Sequence, residues 1–173
     1  MKSYVSKKLF TVILAIIIVI NSSMMVLAAS GRTYEKTFSS SKSLALVLEP
    51  LQSGTSQEIT FDCNSLPSNS RVESIELSSG TGIINNGGNT LTGVIVIENA
   101  YITSPQGKQI SVAWSNKITT GEFASLAPKG VWKVKIKGKN ISQPVKPQYP
   151  FYYSATGSIV YKKPQLTIKY TLR

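Results

Sequence analysis

The side chains able to do chemistry in this chain are few, and most of them are cations. The run Trp132-Lys133-Val134-Lys135-Ile136-Lys137-Gly138-Lys139 alternates apolar and basic residues until glycine interrupts it. In an extended strand neighbouring side chains point to opposite faces, so Trp132, Val134 and Ile136 enter a core. Lys133, Lys135, Lys137 and Lys139 then line the other face at ~6.7 Å intervals. A row of ammonium groups that close suits a repeating polyanion: wall teichoic acid, nucleic acid, an acidic glycan or an anionic membrane surface. The same pattern is also how β proteins protect an exposed edge strand from association.

A second candidate follows directly. Pro144-Val-Lys-Pro147-Gln-Tyr149-Pro150-Phe151-Tyr152-Tyr153 carries three prolines, which prevent regular sheet or helix. Tyr149, Phe151, Tyr152 and Tyr153 then sit on an extended loop, available to stack on sugar rings or bases, or to dock on a partner. Folding back over the edge of the domain is the alternative.

Catalysis fares badly. The chain has no histidine, which removes Ser-His-Asp triads, Cys-His dyads and zinc sites built on paired histidines. Glycoside hydrolysis wants two carboxyl groups ~5 Å apart (retaining) or ~6.5–9.5 Å apart (inverting). Glu58 and Asp62 share a strand face but lie about 13 Å apart along it. Glu73 and Glu76 fall on opposite faces of a regular strand, and only a pair assembled across the fold, such as Glu98 with Glu122, would serve. Ser39-Ser-Ser-Lys42 matches Ser-x-x-Lys, a pattern that a serine tract produces by chance. The expectation is a protein that is not an enzyme, with no cofactor and no metal. Cys63, the single cysteine, shares a strand face with Ile59 and Phe61 and is expected in the core, with intermolecular pairing as the alternative.

Lys plus Arg number 19 against 8 Asp plus Glu, a formal charge of +11. The chain opens with Lys2, Lys7 and Lys8, an apolar run from Leu9 to Ile20, and small residues around Ala28-Ala29. This is the layout of a secretory signal peptide spanning 1–29, and an uncleaved anchor is disfavoured by the polar break Asn21-Ser22-Ser23. A secreted, extracellular mature chain beginning near residue 30 is expected. Within it, residues 30–100 hold four basic and seven acidic residues, 4 − 7 = −3, and residues 101–173 hold twelve basic and one acidic, 12 − 1 = +11. That lopsidedness argues for an anionic partner of the later half.

The elements that must position these residues have period two throughout, and no stretch has helical period. Strands are expected at 43–49, 58–63, 71–77, 92–98, 101–104, 110–114, 131–137 and 165–172. A Gly-, Asn- and Ser-rich loop runs from 78 to 93, and Ser39–Ser43 forms a frayed entry. Eight or so short strands punctuated by Gly, Pro and Asn predict an all-β, single-domain β-sandwich or jelly roll over 30–173.

Three short motifs agree with that prediction. Ile102-Thr-Ser104-Pro105-Gln-Gly107, followed by Ile110-Ser-Val112, resembles the apolar-x-Ser-Pro-x-Gly turn and strand of the P domains that follow subtilisin-like proteases. Gly130-Val-Trp132-Lys-Val134 is similar to that family's Gly-x-Trp-x-Val strand, and Gly157-Ser-Ile159 with Leu166-Thr-Ile168 to its closing element. Order and spacing agree over about residues 70–170. The resemblance implies a jelly-roll β-sandwich. The acidic residues that the family often uses for calcium are nearly missing, Asp62 being the sole Asp.

The functional expectation is a secreted, non-catalytic protein that binds an anionic cell-envelope polymer or surface. Lys133, Lys135, Lys137 and Lys139 would supply charge, with Tyr149, Phe151, Tyr152 and Tyr153 supplying stacking. Two rivals use the same residues differently: a cationic membrane-active antibacterial protein or toxin, and a module or protease inhibitor that binds a secreted protein.

Overall fold

A computed structural model of the chain describes residues 31–84, 93–143 and 156–173. The expected signal peptide and the Pro144–Tyr153 loop, with Tyr149, Phe151, Tyr152 and Tyr153, lie outside them. The strands are β1 (Thr33–Ser39), β2 (Leu44–Leu48), β3 (Ser53–Thr55), β4 (Ile59–Asp62), β5 (Ser70–Ser78), β6 (Thr81–Ile84), β7 (Ile95–Thr103), β8 (Gln109–Ala113), β9 (Lys117–Thr120), β10 (Val131–Asn140), β11 (Gly157–Lys162) and β12 (Gln165–Leu172). They form three antiparallel sheets: β1-β12-β5-β9; β10 with β7 and then β8 on one side, and β4 and β3 along the other; and β2-β11-β6. The architecture is all-β, a single-domain β-sandwich, as the period-two pattern predicts.

The alternation does the folding. In β2, Leu44, Leu46 and Leu48 are buried while Ala45 and Val47 face out; in β12, Leu166 and Ile168 are buried between exposed or half-exposed neighbours. One apolar core draws on all three sheets, and its largest sealed side chains include Trp132, Phe61, Phe123 and Leu44. The Phe123 and Trp132 rings meet edge-on with centroids 5.0 Å apart, an arrangement that places a ring's positive edge on its neighbour's negative face. Trp132 donates its indole N–H to the Pro128 carbonyl at 2.8 Å, so its one polar atom is satisfied inside the core.

The described residues form twelve strands where the spacing predicts about eight, and the differences have physical causes. The expected strands 92–98 and 101–104 are one strand, β7, whose register against β10 shifts between Lys137 and Gly138. β1 precedes the expected frayed entry and shows no clean alternation, because it is an edge strand whose inward positions carry Tyr34, Lys36 and Phe38. Of these only Phe38 is buried: Lys36 is exposed, with its ammonium 5.6 Å from the Phe38 ring centroid, and half-buried Tyr34 stacks on Tyr170. β3, β6 and β9 have three to four residues each and hold no repeated apolar alternation. β6 occupies part of the expected 78–93 loop. β5 is not regular either: its pairing with β12 shifts between Lys169 and Tyr170, and both carboxylates turn outward. There Glu73 accepts from the Thr33 hydroxyl and Glu76 pairs with Lys117.

Cys63 follows β4 and is fully buried, as its strand-mates predict. Burial, reinforced by the Asp62 carboxylate and opposed by Lys36, pushes the thiol up from 9.0 to about 12. The folded state therefore holds this proton longer than the unfolded chain does. The associated stability is complete below pH 9.0 and is lost as pH rises from there toward about 12, by at most ~1.4 kcal/mol per pH unit. Urea unfolding of wild type and Cys63→Ala from about pH 8 to about pH 11 should show the wild type losing the more stability. Parallel profiles would exclude the linkage.

Candidate binding face on the lysine strand

Burial along β10 alternates as its sequence predicts. Trp132, Val134, Ile136 and Asn140 are buried, while Lys133 and Lys139 are exposed and Lys135 and Lys137 half-exposed. The four lysines thus leave one face of one strand. β10 is an interior strand, paired along its length with β7 and, on its other edge, with β4 at Val131–Val134 and β3 at Lys137–Lys139. Protection of an edge does not explain its lysines, since no edge is there to protect.

Register sets what stands beside each lysine. Lys133 lies between Thr60 and Thr103, Lys135 opposite Tyr101, Lys137 between Thr55 and Asn99, and Lys139 between Ser53 and Val96. β8 extends these rungs with Gln109 beside Thr103 and Ser111 beside Tyr101. The outward surface of this sheet carries hydroxyl, amide and ammonium groups around one tyrosine, with Val96 and Val131 exposed toward its two ends. The Lys135 ammonium lies 5.6 Å from the Tyr101 ring centroid, within reach of the ring's quadrupole.

With one acid among residues 101–173, the lysines are expected to lack carboxylate partners, and the fold overturns this. The lysine row is not left without carboxylates: Lys133 lies 3.1 Å from Glu58, and Lys137 lies 3.8 Å from Glu98. All four of these side chains are 41–48% exposed, so the pairs contribute little to stability, but they halve the charge of the row. Among the described residues Lys135 and Lys139 make no ion pair. With Asp62 also facing out, the sheet surface carries four lysines against three carboxylates, 4 − 3 = +1.

The sequence's division into an acidic first half and a basic second half does not become a division in space. Among the described residues, each of the four ion pairs joins a late lysine to an early glutamate, two on the β10 sheet and two, Lys117–Glu76 and Lys169–Glu35, on the other large sheet. Antiparallel pairing of early with late strands interleaves the charges.

Tyr101 and its polar neighbours were legible in principle. Asn99, Tyr101 and Thr103 alternate with Ala100 and Ile102, a period-two signal that names their face. Their adjacency to the lysines depends on register, which the alternation does not carry. Among the described residues no three His, Cys, Asp or Glu side chains gather as a metal site would need.

Two motifs behind the P-domain resemblance meet beneath the start of this strand. The Ser104–Gly107 turn closes with the Gly107 N–H donating to the Ser104 carbonyl at 3.0 Å, and Gly107 has φ +84°. Gly130 has φ +127°, and a Cβ there would lie 2.7 Å from the Pro105 Cβ.

Fold and face together define a β-sandwich domain with an exposed lysine–tyrosine sheet surface. No family model matches the chain, and no curated protein matches it. Among solved structures it is similar to FlhE, at 13% identity and a TM-score of 0.41, covering 79% of this chain and 97% of FlhE. It is also similar to a protein of Eubacterium rectale provisionally described as secreted, at 15% identity and a TM-score of 0.49, over 82% of this chain. That match spans 41% of the second protein's length.

Proposed function

We propose that this chain is a secreted, non-catalytic binding domain that holds an anionic polymer or surface against the outer face of the β10 sheet. The observation that carries the reading is a row of four outward lysines on an interior strand. Neither core packing nor edge protection calls for them there. Lys135 and Lys139 are the principal charges. Lys133 and Lys137 contribute once an incoming anion competes with Glu58 and Glu98. Tyr101 offers a ring for stacking, and the flanking threonines, Asn99, Ser111 and Gln109 offer hydrogen bonds to phosphate, carboxylate or sugar oxygens.

The test is a titration of the mature protein with poly(glycerol phosphate) at several salt concentrations. Binding should weaken steeply with salt, as release of condensed counterions requires. Lys135→Gln with Lys139→Gln should bind roughly tenfold more weakly at low salt and flatten the salt slope by about 2. Lys133→Gln with Lys137→Gln should lose less, since each of those lysines already has a carboxylate neighbour. Binding indifferent to salt, or unchanged in the first variant, would sink the proposal.

A further inference from the structure

The lysine row ends in an aliphatic cluster. Asn140 is buried, so Ile141 continues the outward parity of Lys139. The Ile141 N–H donates to the Val94 carbonyl at 2.9 Å, which places Val94 across from it, and Val96 stands opposite Lys139. On the other side the Asn140 N–H donates to the Gln52 carbonyl at 2.9 Å, which brings the preceding residue, Leu51, to the same end of the sheet. These four side chains are 45–54% exposed.

Leu51 is the informative member. Gln52 N–H closes a turn onto the Glu49 carbonyl at 3.0 Å, with Pro50 and Leu51 as the central residues. Leu51 has φ +61°, the left-handed conformation that such a turn normally gives to glycine or asparagine. Leucine is strained in that backbone conformation and leaves about half of its side chain in water. Its presence there, beside three other bare aliphatic residues, points to something outside the domain that takes them up.

We infer that this end of the sheet docks on an anionic lipid bilayer. Leu51, Val94, Val96 and Ile141 would enter the interface while Lys139, and Lys137 behind it, meet the headgroup phosphates. A hydrated polymer offers no apolar phase for four aliphatic side chains, whereas the acyl boundary does. Lysines bordering such a cluster extend their ammonium groups into the headgroup layer. This deepens the proposed reading of the lysine face and rests on it, committing the anionic surface to lipid.

The experiment is co-sedimentation of the mature protein with vesicles of phosphatidylcholine alone and of phosphatidylcholine containing phosphatidylglycerol. Poly(glycerol phosphate) binding and sedimentation velocity without lipid run in parallel. Wild type should bind the phosphatidylglycerol vesicles and release at high salt. Leu51→Asn, and separately Val94→Ser with Ile141→Ser, should reduce vesicle binding about tenfold or more while leaving polymer binding unchanged. Leu51→Asn suits the left-handed turn position, so its melting temperature should hold or rise, which separates lost docking from lost folding. Vesicle binding untouched by these variants overturns the inference and leaves the polymer reading standing. A concentration-dependent dimer that the same variants abolish would overturn it too, assigning the cluster to a second copy of the chain. Failure to bind either vesicles or polymer removes the lysine-face reading along with it.

Discussion

Trp132→Ala is expected to cost about 3–5 kcal/mol, the largest loss from any single substitution beneath the candidate face. The indole is fully buried, forms the edge-on pair with Phe123 and donates to the Pro128 carbonyl at 2.8 Å. Alanine leaves a cavity where the sheet's central strand meets the core, and strands the carbonyl of Pro128 as well. Domains of this kind are stable by only about 5–15 kcal/mol, so the variant should melt at least about 10 °C lower, or not fold. Trp132→Phe keeps a ring against Phe123 but loses the N–H donor, so its loss should fall near 1–3 kcal/mol. Thermal unfolding followed by near-ultraviolet circular dichroism checks both. Equal melting temperatures for wild type and Trp132→Ala would mean that the side chain does not anchor β10.

Gly130→Ala should be the next most damaging, at about 2–4 kcal/mol. The cost has two parts. Gly130 has φ +127°, a backbone conformation that L side chains rarely adopt, and a Cβ there would lie 2.7 Å from the Cβ and 3.1 Å from the Cγ of Pro105. Proline cannot swing aside as a long flexible chain would, so the β7–β8 turn or the start of β10 has to move. The Gly130 carbonyl also accepts from the Cys63 N–H at 2.9 Å, so that movement reaches the end of β4. If the variant folds, Lys133 is displaced with its strand, and polymer binding should weaken beyond what the fraction unfolded accounts for. A Gly130→Ala protein with wild-type stability would show that the close approach to Pro105 is not a constraint.

Much of this was legible in the chain itself. The outward direction of Lys133, Lys135, Lys137 and Lys139 followed from Trp132, Val134 and Ile136, because side-chain direction in a strand depends only on odd or even position. The burial of Cys63 followed from Ile59 and Phe61 in the same way. The short strands β3, β6 and β9 were not legible, since Ser-Gly-Thr, Thr-Gly-Ile-Ile and Lys-Ile-Thr-Thr hold no repeated apolar alternation, whereas β4 has Ile59, Phe61 and then Cys63 in step. β1 was missed because Phe38 is its one buried residue, so Thr33–Ser39 shows no apolar alternation to count. β11 was read only as a motif fragment: Gly157-Ser-Ile-Val-Tyr161 has Val160 on the solvent side, which blurs the alternation.

What the chain determined alone was local: an all-β composition of short alternating segments, and the face on which each side chain emerges. What only the tertiary structure decided was who stands across each rung. It placed Glu58 beside Lys133 and Glu98 beside Lys137, set Tyr101 against Lys135, and put Val94 and Val96 next to Ile141 and Lys139. Alternation repeats every two residues and is written within each strand, whereas register joins segments far apart in the chain and is chosen by packing the whole core at once. A strongly basic second half could therefore fold into a surface where half of its lysine row already has a carboxylate neighbour.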